Sequence, residues 1–149
     1  MHSARRVSVR GIIFREGMLL AVRLKPYHGA IRGDFWCTPG GGLDPGESLA
    51  DGMRRELVEE TGVEPAVSAL LYVQQFAHEN VEQLEFFFHI TNPEAYLTVD
   101  LSKTTHGMAE ITEIDFQDPR SIPLLPKFLT TQDIAADIQR GTTTLFSSL

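Results

Sequence analysis

The stretch that decides the fold is Gly40–Val63, which reads GGGLDPGESLADGMRRELVEETGV. It opens with three consecutive glycines, and Pro45-Gly46 predicts a turn shortly afterwards. The pattern from Glu47 to Thr61 is helical, and Gly62 supplies the stop expected after a last turn. This stretch therefore predicts a helix that is entered from a glycine-rich loop.

The predicted helix carries its carboxylates beside its apolar stripe. At about 100° per residue, the stripe consists of Leu49, Ala50, Met53 and Leu57. Glu56, Glu59 and Glu60 share a neighbourhood at the edge of that stripe, where like charges repel more strongly if they are desolvated. Arg55 can neutralise one of them. Two interpretations follow: a solvated acidic face, or carboxylates that hold divalent cations, since Mg²⁺ and Mn²⁺ prefer oxygen ligands.

The loop before the helix favours the second interpretation. Gly40, Gly41 and Gly42 permit a close approach of the backbone to a ligand. Glu47 lies at the predicted helix start, where a carboxylate suits the helix dipole and can reach back toward Arg55. We therefore predict a cradle for metal-bound phosphate.

The spacing of these residues resembles a known motif. Gly41, five residues, Glu47, seven residues and then Arg55-Glu56-Leu57-Val58-Glu59-Glu60-Thr61-Gly62-Val63 fill every fixed position of the Nudix box. The segment Trp36–Gly41 resembles the strand that usually leads into such a box. The segment from Glu110 to Leu125 resembles the closing strand and following helix of the family, so that the resemblance extends over roughly residues 7–128.

The resemblance implies an α+β fold, a Nudix-type α/β/α sandwich with a central mixed β-sheet. We expect a single Nudix domain over residues 1–149, with the box at 41–63 and a C-terminal helix and tail at about 121–149. The implied activity is a Mg²⁺-dependent hydrolase, with Mn²⁺ as a substitute. Its substrate is a nucleoside diphosphate linked to another moiety, and water attacks one phosphorus of the pyrophosphate.

The resemblance also implies roles for the box residues. The acids that match Glu56, Glu59 and Glu60 hold the metal, and Glu47 and Arg55 support the loop and orient these carboxylates. The general base stays open. It is Glu56 or an acid outside the box, with Glu113 as the first candidate because it resembles a position that often carries an extra metal ligand or base. The other candidates are Glu110, Glu79, Glu82 and Glu85.

Several residues outside the box are candidates for substrate contact. Arg23, Lys25 and Arg32 are candidates for phosphate, because a guanidinium or ammonium group suits that partner. Aromatic and histidine candidates are Tyr27, Phe35, Phe76, His28, His78 and His106. For each of these residues the alternative to substrate contact is an ordinary place in the core or on the solvated surface. We expect Trp36 to be core and Cys37 to be packing volume rather than a nucleophile.

The rest of the chain predicts more strands than helices. Val7–Phe14 and Met18–Leu24 predict a hairpin with its turn at Glu16-Gly17. The other predicted strands are Phe35–Thr38, Ala66–Ala77, Leu84–Ile90 and Ile111–Phe116. The predicted loops and tail are Pro26–Asp34, Pro39–Gly42, Asn92–Gly107 and Gly141–Leu149. Thr131–Arg140 predicts an amphipathic helix, and the two prolines within Ile122–Phe128 allow at most a short one.

Composition restricts the class of protein. The chain has 149 residues, 42% of them hydrophobic, and a formal net charge of −7. This size suits one domain, and the acidic balance argues against a stable nucleic-acid partner. No apolar run approaches the roughly 20 residues that cross a bilayer, and no signal peptide is apparent, so we expect a cytoplasmic protein without a membrane partner. The expected partner is a small nucleotide or nucleotide-sugar, and dimers are frequent among proteins of this kind.

Three hypotheses of function remain open. The first is a pyrophosphohydrolase that acts on a nucleoside triphosphate, an oxidised one, ADP-ribose or a related sugar nucleotide. The second is a regulatory module that senses a nucleotide without turning it over, although such modules usually show a degraded box. The third is isoprenoid isomerisation, which the position of Cys37 before the box does not favour.

Overall fold

The computed structural model describes residues 4–25 and 35–149. Its strands are β1 (Ala4–Ile12), β2 (Phe14–Arg15), β3 (Met18–Leu24), β4 (Trp36–Cys37), β5 (Gly40–Gly42), β6 (Val67–His78), β7 (Val81–Ile90), β8 (Ile111–Gln117), β9 (Leu124–Leu125) and β10 (Thr144–Ser147). Its α-helices are α1 (Leu49–Thr61), α2 (Gly107–Glu110) and α3 (Ile134–Arg140). Short 3₁₀ helices cover Pro93–Tyr96, Leu101–Lys103 and Lys127–Thr130.

The strands form two sheets. The first has the order β10-β6-β7-β1-β5, and it is mixed because β1 is parallel to β7 but antiparallel to β5. The second has the order β2-β3-β4-β9, and β8 also pairs with β3. This arrangement confirms the predicted mixed sheet and the α+β class.

Two hydrophobic clusters lie on opposite sides of the sheets. Val9 and Ile13 of β1 pack in one cluster with Met53 and Leu57 of α1. Ile12, on the other face of β1, packs in the second cluster, to which α3 contributes. Because side chains alternate along β1, one face of the sheet packs against α1 and the other against α3. This arrangement is the α/β/α sandwich.

Helix α1 is fixed at both ends by local signals. The Ser48 side chain accepts a hydrogen bond from the Asp51 amide, and Gly62 adopts a left-handed conformation with φ of 74°. The helix begins two residues later than predicted, since Ser48 provides the N-cap and Glu47 lies before it. Ala50, which was expected on the apolar stripe, is exposed.

Two predictions for the backbone were wrong, and a third was only partly right. Gly40–Gly42 is not only a loop, because these residues pair with β1 as strand β5. The predicted tail, Gly141–Leu149, contains β10, which runs parallel to β6. Ile122–Phe128 holds the short strand β9 and the start of a 3₁₀ helix.

The turn of the predicted hairpin was confirmed, but most of its first strand was placed wrongly. Phe14 and Arg15 pair with β3, whereas β1 pairs with β5 and β7 in the first sheet. The Glu16-Gly17 turn joins β2 to β3, with φ of 52° and 79° at its two residues. The predicted loop Pro26–Asp34 lies outside the described residues. Within the described residues, no helix is long and apolar enough to cross a membrane.

Candidate active site

The side chain of Arg55 connects the start, middle and end of the box. Its Nε and Nη2 donate to the two Glu47 carboxylate oxygens at 2.7 and 2.9 Å. Its Nη1 donates to Glu56 at 3.0 Å and to Glu59 at 3.2 Å. Its Nη2 also donates to the carbonyl oxygen of Gly42 at 3.1 Å. One guanidinium therefore holds three box carboxylates and the glycine loop in a fixed arrangement.

Glu47 connects this network to the turn before the helix. One of its oxygens also accepts a hydrogen bond from the Asp44 amide at 3.1 Å. The hydrogen bonds from Arg55, with that from Asp44, lower the pKa of Glu47 to about 2. Glu47 is therefore ionised at any physiological pH, and its role in the structure is to fasten the loop to Arg55.

Glu59 is held from a second side by the segment that precedes β8. The Nδ1 atom of His106 lies 3.0 Å from Glu59 Oε2, and the His106 amide donates to the Glu59 carbonyl oxygen at 2.9 Å. From the sequence, His106 was one of three histidine candidates for substrate contact. The structure places it against a box carboxylate.

Glu60 is the buried acid of the site. Its exposed fraction is 4%, and its Oε2 has no hydrogen-bond partner within the described residues. Burial raises its pKa to about 8; nearby Arg10 and a hydrogen bond from the Gly40 amide act against this rise, while Glu56 and Glu110 add to it. Burial also raises the pKa of Glu56, against the opposing effect of Arg55. Two adjacent carboxylates thus lie in a site that disfavours their charge.

The glycines allow the loop to lie directly on these carboxylates. A Cβ atom at Gly41 would lie 2.5 Å from Glu56 Oε2, closer than real Cβ atoms approach such an atom. Gly40 has φ of 147°, in the region that favours glycine. The close approach predicted for this loop is therefore made, in this structure, to Glu56 and to β1.

Arg10 is a site residue that the sequence analysis missed. From β1 it donates to the carbonyl oxygens of Thr38 and Gly40, each at 3.3 Å, and its Nε donates to Glu85 at 3.3 Å. Its side chain is 16% exposed. The sequence signal that could have identified Arg10 is a charged residue inside a predicted strand of mostly apolar residues.

A divalent cation fits this site by ligand type. The nearby donors are carboxylates, and an unpartnered buried oxygen belongs to Glu60. Among residues 4–25 and 35–149, however, no three His, Cys, Asp or Glu side chains are grouped so that they could hold one ion. In the structure Arg55 holds Glu56 and Glu59 instead.

Two predicted residues outside the box pair with each other. Arg23 Nη1 donates to Glu113 Oε1 at 3.2 Å, and the Arg23 guanidinium lies 5.5 Å from the ring centre of Trp36. Glu113 is 54% exposed and lines a groove of about 500 Å³ between the 3₁₀ helix at Leu101–Lys103 and β8. Arg32, the other phosphate candidate, lies outside the described residues, as do Tyr27 and His28.

The remaining acid candidates differ in their surroundings. Glu79 lies in the turn between β6 and β7, with its side chain 84% exposed. Glu82 and Glu85 belong to β7, and they pair with Arg5 and Arg10 respectively. Glu110 acts on the Glu60 carboxyl through its charge. Of the four, Glu85 and Glu110 are thus connected to the box.

Two other expectations concern the strand that enters the box. Trp36 is 7% exposed and packs in the hydrophobic cluster on the α3 side, as predicted. Burial raises the pKa of the Cys37 thiol, which keeps it protonated and agrees with its role as packing volume.

Comparisons with known proteins give the family and the fold. The model of the NUDIX domain matches residues 4–132. A Bacillus subtilis (strain 168) protein named putative 8-oxo-dGTP diphosphatase is 45% identical over 61 residues, 41% of either chain. A second protein of that organism, named putative ADP-ribose pyrophosphatase, is 30% identical over 137 residues, 87% of this chain and 59% of its own. Over these matches the chain spans about two fifths to three fifths of the length of the curated relatives.

Solved structures share the fold at low sequence identity. The E. coli ORF135 protein has a TM-score of 0.70 and 22% identity, with 93% of this chain and 94% of that one covered. The MutT protein from Methanosarcina mazei Go1 has a TM-score of 0.71 and 21% identity, with 94% and 97% covered. With a family model over most of the chain, an intact box and this sandwich, the chain belongs to the Nudix family.

Proposed function

We propose that this chain is a divalent-metal-dependent pyrophosphohydrolase that acts on a nucleoside diphosphate linked to another moiety. One observation supports this most directly: Arg55 holds Glu47, Glu56 and Glu59 beside the buried, unpartnered Glu60. A surface helix has no need to gather carboxylates around a buried one, because their repulsion destabilises the fold. A site that binds cations and phosphate gains from that arrangement.

The proposed metal ligands are Glu56, Glu59 and Glu60. Mg²⁺ is the expected ion, with Mn²⁺ as a substitute, because both prefer carboxylate oxygens. When bound, the ion offsets phosphate charge and lowers the pKa of bound water. The charge of the cation also favours the ionised form of Glu56 and Glu60, whose burial otherwise raises their pKa values.

The residues of the chain then have distinct roles in the proposed reaction. An oxygen of water forms a bond to one phosphorus, the bridging phosphorus–oxygen bond breaks, and two phosphate-bearing products leave. Glu56 accepts the proton of the water, with Glu113 and Glu110 as the alternatives. Arg55 and Glu47 keep the carboxylates and the loop of Gly40–Gly42 in position, and Arg10 brings a cation beside that loop. Arg23 is proposed as a phosphate contact, as is Arg32.

The substrate belongs to one of two groups. The first group is nucleoside triphosphates, including oxidised ones, and its support is the relative named putative 8-oxo-dGTP diphosphatase. The second group is ADP-ribose and related sugar nucleotides, and its support is the relative named putative ADP-ribose pyrophosphatase. In both groups water cleaves a pyrophosphate, so that the same box residues serve.

A hydrolysis screen tests the proposal. The protein is incubated with nucleoside triphosphates, 8-oxo-dGTP, ADP-ribose, sugar nucleotides and dinucleoside polyphosphates, with Mg²⁺, with Mn²⁺ or with EDTA, and products are separated by chromatography. We expect cleavage of one group that EDTA abolishes. Absence of cleavage across the panel, with nucleotide binding retained, would instead favour the sensing module.

We further propose that residues 1–149 form one domain. The family model ends at residue 132, yet β10 lies beyond it and pairs with β6. Thr143 also donates to the Leu70 carbonyl oxygen at 2.7 Å, and Phe146 packs against the core. Limited proteolysis that removes residues 141–149 without loss of stability would contradict this proposal.

A further inference from the structure

The segment that leads into β8 lies across the C-terminal end of α1. The amide of His106 donates a hydrogen bond to the carbonyl oxygen of Glu59 at 2.9 Å, and the hydroxyl of Thr105 donates to the same oxygen at 3.2 Å. The last carbonyl groups of a helix have no partner within the helix, so they need donors from elsewhere. Here the donors come from residues 104–107, which we call the end segment.

The end segment is held close to the helix. A Cβ atom at Gly107 would overlap the carbonyl oxygen of Glu60, so the close packing at this point depends on the missing side chain. Just after the segment, the carbonyl oxygen of Met108 accepts a hydrogen bond from Lys25 Nζ at 2.7 Å. The backbone of His106 is therefore fixed relative to the end of α1.

The side chain of His106 turns back onto the carboxylate of Glu59. Its Nδ1 atom lies 3.0 Å from Glu59 Oε2. An ionised carboxylate accepts hydrogen bonds and donates none, so the Nδ1 atom that faces it carries the proton. The imidazole is 52% exposed, and burial of the ring therefore does not account for its position.

The contacts of the Glu59 carboxylate are asymmetric. Arg55 Nη1 donates to Oε2 at 3.2 Å, and His106 Nδ1 approaches the same atom. Over residues 4–25 and 35–149, no hydrogen bond or ion pair engages the other oxygen, Oε1. The two donors thus fix the carboxylate by one oxygen and leave the second oxygen for a ligand.

Arg55 alone is poorly suited to hold Glu59 once a cation binds. Its Nη1 is shared between Glu56 Oε1, at 3.0 Å, and Glu59 Oε2. A cation among the same carboxylates also repels the guanidinium charge. An imidazole N–H group donates a hydrogen bond without requiring a positive charge. His106 can therefore hold Glu59 in the metal-bound state as well.

We propose that His106 is a positioning residue for the metal site: its Nδ1–H group holds Glu59 Oε2 and so keeps Oε1 available to the divalent cation. This inference rests on the proposed function, because it deepens the metal site described there. Removal of a group that hydrogen-bonds a metal ligand typically lowers the affinity for the metal by about 10- to 100-fold. The effect of His106 should therefore appear in that affinity.

Titration of Mn²⁺ alone into the metal-free full chain measures this affinity without nucleotide and without turnover. We expect His106→Ala to raise the Kd for Mn²⁺ by about tenfold. The hydrogen bond from the His106 amide to Glu59 persists in this variant, since it does not involve the side chain. Isothermal titration calorimetry gives the Kd, and electron paramagnetic resonance of free Mn²⁺ checks it.

Two further substitutions test the position of the donor. The Nδ1 atom of histidine and the amide nitrogen of asparagine are both bonded to Cγ, whereas the amide nitrogen of glutamine lies one bond farther out. We expect His106→Asn to bind Mn²⁺ within about threefold of wild type, and His106→Gln to bind it as weakly as His106→Ala does. This pair also decides the question if His106→Ala does not fold.

Thr105→Val is the matched control. The Thr105 hydroxyl contacts the same residue, Glu59, but at the carbonyl oxygen and not at the carboxylate. Valine keeps the shape of the side chain and removes one hydrogen bond of the end segment. We expect a small decrease in melting temperature and an unchanged Kd for Mn²⁺. Thermal unfolding of all four variants without metal reports the structural effect separately.

Four results would overturn the inference. They are an unchanged Kd in His106→Ala and His106→Gln, a loss in His106→Asn as large as that in His106→Gln, an equal loss in Thr105→Val, and no binding of Mn²⁺ by wild type at millimolar concentration.

The hydrolysis screen separates this inference from the proposed function. Metal-dependent cleavage by wild type, with a Kd for Mn²⁺ that does not depend on His106, would reject the positioning role and leave the pyrophosphohydrolase intact. A Kd that depends on His106, together with no cleavage of any substrate in the panel, would reject the hydrolase and retain the metal site as that of a sensing module.

Discussion

At the scale of single residues, the site depends on the planar geometry of Arg55. Its five N–H groups form a fixed fork, and this fork meets Glu47 with two parallel hydrogen bonds while Nη1 reaches Glu56 and Glu59. An ammonium group is a point charge and cannot reproduce that set. The identity of the residue, and not only its charge, therefore positions the carboxylates.

Arg55→Lys is expected to lower kcat by one to two orders of magnitude and the free energy of unfolding by about 1–3 kcal/mol, since several charge-assisted hydrogen bonds are lost. Urea unfolding and steady-state kinetics measure the two effects. Arg54→Lys is the matched control, because Arg54 and its partner Glu64 are each 58% exposed. If Arg54→Lys lowered kcat and the free energy of unfolding as much as Arg55→Lys, the hydrogen-bond network of Arg55 would have no special role.

Glu60→Gln tests the buried acid. The amide has nearly the same shape and carries no charge, so we expect folding to be retained and kcat to fall by orders of magnitude through loss of a metal ligand. The thermal stabilisation that Mg²⁺ gives to wild type should vanish in the variant, because a cation that binds only the folded state raises its stability. Retention of most of the activity would show that the metal site has been assigned wrongly.

At the scale of elements, the box helix and its loop act as one unit. The absence of a side chain at Gly41 lets β5 approach Glu56, and the carbonyl oxygen of Gly42 binds Arg55. The local sequence contains the signals for this unit: Ser48 as N-cap, Gly62 as stop, and an apolar stripe that includes Met53 and Leu57. For that reason most of the helix and its carboxylates could be predicted from the sequence.

The elements that the sequence did not predict depend on distant partners. The three glycines of β5 have no side chains whose alternation would indicate a strand, and their pairing with β1 supplies the structure. Strand β10 is four residues long, and it forms against β6, which lies about 70 residues earlier in the chain. Arg10 was missed for the same reason, because its partners Thr38, Gly40 and Glu85 come together only through pairing of strands.

Gly41→Ala is expected to reduce activity at least tenfold while the protein still folds. The added Cβ would lie 2.5 Å from Glu56 Oε2, so that this carboxylate must move away from its position beside Arg55. Gly42→Ala is the comparison, since its Cβ would meet nothing closer than Arg6 at 3.8 Å. Kinetics and thermal unfolding of both variants check the prediction, and equal losses in the two would contradict it.

Helix α3 is anchored by a buried acid. Asp137 accepts hydrogen bonds from Tyr72 at 2.6 Å and from Gln132 at 3.0 Å, and it pairs with Arg140. Burial acts to raise the pKa of Asp137, but these hydrogen bonds outweigh it and hold the pKa below its ordinary value of 3.8. The ionised carboxylate therefore stabilises the folded state.

This anchor predicts a dependence of stability on acidity. The pKa of Asp137 is lower in the folded state than its ordinary value of 3.8. Its contribution to the free energy of unfolding is therefore complete above pH 3.8, and it is lost as the pH falls through the folded-state pKa. Asp137→Asn is expected to lower the unfolding free energy by about 1–3 kcal/mol at neutral pH, and the difference from wild type should shrink in acid. Urea unfolding from pH 2 to 7 tests this. Glu79→Gln, at a side chain 84% exposed, should follow wild type throughout.

At the scale of the whole molecule, the sandwich separates two tasks between the faces of one sheet. The face toward α1 packs Met53 and Leu57 and so places the box carboxylates at the edge strand β5. The face toward α3 packs the aromatic rings of Tyr72, Phe87 and Phe128, and it carries the ion pair of Arg10 and Glu85. The formal charge of −7 is compatible with a phosphate substrate because Arg10 and Arg55 each contact both a carbonyl oxygen of the glycine loop and at least one carboxylate.

Strand β10 closes this architecture, and two neighbouring residues test its contribution. Phe146 packs against Phe128 and lies 6.1 Å from Tyr72 between ring centres, whereas Leu145 is 64% exposed. Phe146→Ala is expected to lower the unfolding free energy by roughly 1–3 kcal/mol, because it removes a partly buried ring from the aromatic cluster. Leu145→Ala should stay within about 0.5 kcal/mol of wild type. Chemical unfolding of both variants decides between them: a neutral Phe146→Ala would mean that β10 is a dispensable appendage rather than the fifth strand of the sheet.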